Sequence, residues 1–166
     1  GEKSVGRSID YDIAMTRIAK KLVAKYPNAQ WERVLERCCL DASDSHVRFA
    51  AFYILTICFR RVKDFTLLKA AFDNYAYKFS NDFDYRFLYL SYRAENPCDK
   101  YPDYEVLLKD ADRLISANKY RASCLHIYCE LVASICEEGI DLSRSRLFSA
   151  LHHLDNAIDL FPYYPK

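Results

Sequence analysis

Glycine is the scarcest structural residue in this chain: Gly1, Gly6 and Gly139 are the only three among 166 residues. No GxGxxG or GxxxxGK loop can therefore be written, which removes the common backbone cradles for nucleotide phosphates. Scarce glycine also suits packed helices, whose interiors glycine weakens. Charge of one sign is lacking too. The net charge of +1 argues against a surface built to neutralise phosphates, which is usually clearly basic. Long apolar runs are missing: Phe49 to Phe59 spans about eleven residues, short of the ~20 that cross a bilayer. There is no HExxH, no CxxC, no sustained strand-like alternation and no visible signal peptide. Residues 1–8 read as a polar leader or expression remnant.

What is present describes one ordinary globular domain, with 51% hydrophobic and 28% charged residues. The seven cysteines are odd in number and lie mostly inside apolar helical stretches. Free cysteine behaves as a small buried hydrophobe, so this usage points to a reducing cytoplasm rather than a disulfide scaffold. The charge runs Lys20, Lys21, Lys25 and Glu137, Glu138, Asp141 read as solvated faces.

Helical segments open near Ile9, Ser45, Asp82 and Lys119, a recurrence of about 37 residues, and each is followed by a second helix. The first runs Ile9 to Lys25 and is ended by Tyr26-Pro27, with Asn28 placed to cap the next helix, which reaches about Leu40. Ser43, Asp44 and Ser45 start the third. His46 to Arg61 is apolar nearly all round, which predicts a central, heavily buried helix. Phe65 to Phe79 follows a short turn at Val62-Lys63-Asp64, and Ser80-Asn81-Asp82 breaks again before Asp84 to Glu95. After a loop with two prolines comes Tyr104 to Ala117. Asn118 is placed to cap Lys119 to Glu138, which Gly139 ends. The last helix, Ser143 to Phe161, carries Leu147, Ala150, Leu151, Leu154, Ala157, Ile158 and Phe161 on one face.

The residues Ala150, Leu154, Ala157 and Pro162 have the spacing of a second repeat helix closed by proline, and with them the chain resembles the tetratricopeptide repeat (TPR) family. Phe52, Leu55, Thr56, Phe59, Leu68 and Phe72 match in spacing in the second hairpin, although Leu68 and Tyr75 stand where the family prefers alanine and Ser80 replaces its proline. Phe87, Leu90 and Ser91 in the third hairpin and Val132 and Ala133 in the fourth match more loosely. The resemblance implies an all-α, right-handed α-solenoid of about four antiparallel helical hairpins over residues 9–166, expected to be part of a longer chain.

Chemistry is sparse. Cys124, His126, Cys129 and Cys136 share one helix, with His152 and His153 on the next, but their spacing is not that of a zinc site, and core cysteines are the favoured account. Asp82, Asp84, Glu137 and Glu138 lie at helix ends, where acids cap and solubilise. No catalytic residue, metal or cofactor is assigned, and the chain is read as a non-enzyme.

Fourteen tyrosines and ten phenylalanines exceed ordinary core needs, and tyrosine is favoured in binding sites. The family resemblance implies a concave groove lined by Tyr53, Ile57, Arg60, Tyr85, Leu88, Tyr92, Glu130 and Glu137, with Lys20 the weakest candidate. Ile57 and Tyr92 stand where the chaperone-binding subgroup needs Asn for its carboxylate clamp, which argues against that ligand. The expectation is a non-catalytic module that receives a protein or peptide segment. The alternatives are a sensor or regulatory repeat region of a larger multidomain ATPase or signalling or defence enzyme and, third, an RNA-binding helical repeat. Near-neutral charge and the lack of a recurring polar code speak against the last.

Overall fold

Several helix ends are set by local chemistry. In the computed structural model, which describes residues 9–26, 30–79, 82–95, 103–118 and 120–160, eight helices follow in order. They are α1 (Ile9–Lys25), α2 (Gln30–Asp41), α3 (Ser45–Arg61), α4 (Phe65–Phe79), α5 (Phe83–Glu95), α6 (Tyr104–Ser116), α7 (Arg121–Glu137) and α8 (Arg144–Leu160). Among the described residues there is no strand, so the expected all-α class holds, and the helix starts expected near Ile9, Ser45, Asp82 and Lys119 fall within two residues of those observed. Asn28, Ser80, Asn81, Lys119, Phe161, Pro162, the loop at 96–102 and the leader lie outside the described residues.

Several caps are those the sequence suggests. Asp44 caps α3, its carboxylate accepting from the His46 amide at 2.8 Å. Asp64 caps α4 in the same way, accepting from the Leu67 amide at 3.0 Å, and the Ser143 hydroxyl accepts from Arg146 N at 3.2 Å at the start of α8. Asn118 is a correction. Its amide donates to Ile115 O at 3.1 Å and its φ is 59°, so it ends α6 in the left-handed conformation that asparagine tolerates. The residue that caps α7 is Tyr120, itself left-handed at φ 53° and without a side-chain capping bond.

The described residues divide into two compact units, those up to Asp82 and those from Phe83 onward. In the first, α1, α2 and α4 all pack on α3, and α1 and α2 meet chiefly through it. In the second, α7 is packed by α5, α6 and α8, and α5 also meets α6. A helix surrounded by others needs apolar side chains all round. That explains the expected burial of α3, where Phe52, Leu55 and Cys58 are wholly buried, and applies equally to α7.

The two hub helices keep one register. Ser45 and Arg121 open them 76 positions apart (121 − 45), about twice the recurrence in the sequence. At that offset Phe49, Ala51, Phe52, Leu55, Thr56 and Phe59 correspond to Leu125, Ile127, Tyr128, Leu131, Val132 and Ile135, and all twelve are buried. The endings correspond as well. Lys63 N and Asp64 N donate to Arg60 O and Phe59 O at 3.2 and 3.0 Å, as Gly139 N and Ile140 N donate to Cys136 O and Ile135 O at 3.0 and 3.3 Å. This left-handed cap places Lys63 at φ 60° where the second unit has Gly139 at φ 79°.

The cores differ in material. Phe52 lies at ring distances of 5.3, 6.1 and 5.4 Å from Phe72, Tyr75 and Phe79, and Trp31 meets Phe59 edge-on at 5.5 Å. The second core is mainly aliphatic, built on Leu107, Leu108, Leu114, Leu125, Leu131 and Ile135 around Tyr128.

Helix α8 is turned differently from expectation. Ala150 and Ala157 pack against the second core, as small residues allow, but Leu147, Leu151, Leu154 and Ile158 are exposed. Cys136, expected in the core, is also exposed, whereas Cys124 is buried and Cys129 half-buried.

Candidate functional site

The expected groove residues divide between the two units. Tyr53, Ile57 and Arg60 lie on α3 with a spacing of four and then three residues, so they form one stripe of the hub, and all three are half-buried. Tyr53 is the most elaborated. Its hydroxyl donates to Asp12 Oδ1 on α1 at 3.0 Å, and its ring meets Tyr11 edge-on at 6.1 Å and Phe49 at 6.4 Å. An apolar body with an anchored polar tip, half open to solvent between two helices, is the form tyrosine takes in recognition surfaces. Lys20 is exposed on α1.

In the second unit Tyr85, Leu88 and Tyr92 form one stripe of α5, and all three are buried. Tyr85 stacks on Tyr89 at 6.2 Å, and Tyr89 lies 6.3 Å from Tyr92. Glu130 is exposed on α7 and paired with His126 at 2.8 Å, while Glu137 is exposed at the end of the same helix.

Sequence reasoning missed the polar network that joins α6, α7 and α8. Arg146 donates to Glu105 Oε2 at 2.9 Å, to Asp112 Oδ2 at 2.9 Å and to the Tyr128 hydroxyl at 3.1 Å. His153, two turns along α8, reaches Asp112 Oδ1 at 3.2 Å and meets the Tyr128 ring edge-on at 4.6 Å. The hydrogen bond from Arg146 holds the Glu105 carboxyl below its usual range, and Arg146 in turn is held more firmly protonated, chiefly by Glu105. Burial pushes the Tyr128 phenol up, against the opposing hydrogen bond from Arg146. With both ends of the Arg146 fork occupied, the network is a clasp for α8. One signal was in the sequence: Glu105 and Asp112, like Arg146 and His153, are seven apart and so share a helix face.

A second clasp spans the loop before α6. Arg93 binds Asp103 through both terminal nitrogens, at 2.8 and 2.9 Å, and Tyr89 Oη at 3.0 Å. Burial raises the Asp103 carboxyl, but Arg93 more than offsets this and leaves it below its ordinary value. Tyr120 closes the opposite end of α5. Its ring stacks on Phe87 at 4.1 Å, nearly parallel, and its hydroxyl donates to Asp84.

The buried thiols are poor nucleophiles. Burial pushes Cys39, Cys58 and Cys124 up to about 12, which keeps them protonated at neutral pH. Among the described residues no three His, Cys, Asp or Glu side chains gather as metal ligands, and no helix is long and apolar enough to cross a membrane. The depression along α8, about 580 Å³, is an open surface lined by Arg144, Ser145, Phe148, Ser149, His152 and His153. Compared with known proteins, the chain matches no family model, no curated protein and no solved structure.

Proposed function

We propose that the chain is a TPR-like, right-handed helical solenoid that acts as a non-catalytic module for binding a protein or peptide segment. The packing within each unit supports this reading. First helices pack on first helices, α1 on α3 and α5 on α7, and the hubs α3 and α7 also pack on second helices. Repeats of this kind stack into extended binding surfaces. The observation that carries the binding role is Tyr53, held by Asp12 and set between Tyr11 and Phe49. It gives a rigid amphipathic anchor at low entropic cost, flanked along α3 by Ile57 and Arg60. A peptide would be gripped by its apolar side chains at Tyr53 and Ile57 and oriented by Arg60.

A random peptide library displayed against the 166-residue chain tests this. Selected peptides should lose at least about tenfold in affinity with Tyr53→Ala, the scale of a hot-spot anchor, and be indifferent to Val106→Ala, an exposed residue on α6. Failure to enrich any sequence, or affinities unchanged by Tyr53→Ala in a chain of native circular dichroism, would overturn the assignment.

A further inference from the structure

The exposed face of α8 carries more than its apolar residues. Leu147, Phe148, Leu151, Leu154 and Ile158 are all open to solvent, Phe148 at 63% and Leu151 at 57%, and their spacing places four of them on one stripe with Phe148 at its edge. On that same edge lie Arg144 near the start of the helix and Asp155 and Asp159 towards its end. Among the described residues none of these three has an ion-pair partner. Their order is also the reverse of what an isolated helix favours, since the macrodipole prefers acids in the first turn and bases in the last. Helix α8 has no acid in its first turn and no base in its last.

Both features are resolved by one arrangement. When two copies of α8 pack antiparallel about a two-fold axis, residues on one edge of the face meet residues on the same edge of the partner helix, in reversed order. Arg144 then meets Asp159 of the second copy, and the centre of that register, between Leu151 and His152, lies within the apolar stripe. Each aspartate is brought to the other helix's N-terminal end and each arginine to its C-terminal end, so the unfavourable dipole terms become favourable. A parallel pairing would set this edge against the opposite edge of the partner helix, and Arg144 would not meet Asp159. We propose that this face of α8 pairs with a second copy of the chain, as an isologous antiparallel helix contact. Two helix faces of this length bury on the order of 1,000 Å² together, near the lower limit for a specific interface, so the dimer is concentration-dependent.

Sedimentation equilibrium of the 166-residue chain, from micromolar to millimolar concentration, tests the pairing. The expected mass rises from 19.5 kDa towards twice that value. Leu151→Asp should hold the chain at the monomer mass at all concentrations. Arg144→Asp and Asp159→Arg should each weaken association about fivefold, the scale of an exposed ion pair, and together restore it. Both swaps suit the dipole of the single helix, so weaker association cannot be ascribed to a weaker helix; circular dichroism checks that each variant is folded. A monomer throughout, a dimer that survives Leu151→Asp, or a double variant no better than the singles would each overturn the proposal.

Discussion

Lys63 and Gly139 show how much one residue settles. They occupy corresponding positions after the two hub helices, with the same pair of hydrogen bonds and the same left-handed backbone. Glycine adopts that conformation without cost, whereas a residue with a Cβ gives up about 1 kcal/mol. Lys63→Gly is therefore expected to stabilise the chain by about 1 kcal/mol in urea unfolding, and Gly139→Ala to destabilise it by a similar amount. Nothing lies within 4 Å of a Cβ built on Gly139, so any cost there comes from the backbone and not from a clash. Tyr120 is left-handed as well, and its hydroxyl bond to Asp84 and its stacking on Phe87 hold it there. Tyr120→Phe keeps the stacking and loses the bond, and should cost about 1 kcal/mol in the same measurement.

At the scale of elements, the two clasps have an acid dependence that can be worked out. Glu105 and Asp103 have folded-state values below their ordinary 4.5 and 3.8, so protons bind the unfolded chain more readily. The stability they contribute is full above those ordinary values and is lost as pH falls through the lowered ones. Urea midpoints should drop as pH falls below 4.5, and Arg146→Met should flatten that dependence by freeing Glu105. At neutral pH the same variant should cost about 2 kcal/mol, the scale of a charged hydrogen bond lost from a partly buried site.

The clasp on α8 also marks where sequence reading stopped. Helix ends were legible because Asp44, Asp64, Ser143 and Gly139 act through neighbours within five residues. The burial of α3 was legible because apolar residues cover every side of it. The orientation of α8 was not. Its large residues and its alanines belong to one amphipathic pattern, and the inward face is decided by Glu105 and Asp112, which meet Arg146 and His153 from about 40 residues earlier. Asn118 misled for a related reason: asparagine serves equally at the start of a helix and in a left-handed stop, and only the backbone distinguishes the two. Of the expected groove residues, Tyr53 gained partners from α1 that no local spacing could reveal, and Tyr85, Leu88 and Tyr92 are buried.

In the whole molecule two units are built alike, each assembled around one hub helix, with the hubs 76 positions apart. Such hubs should dominate stability. Phe52→Ala in the first unit and Leu131→Ala in the second, both wholly buried, are each expected to cost about 3–5 kcal/mol, although one core is aromatic and the other aliphatic. Hydrogen exchange across the native chain, resolved by mass spectrometry, reads out whether each hub holds its unit together, because opening free energy follows local packing. The slowest-exchanging amides should lie in α3 and α7, with the helices around each hub exchanging sooner. Amides of α7 exchanging as fast as those of α8, or protection concentrated in α1 or α2 instead of α3, would contradict the account.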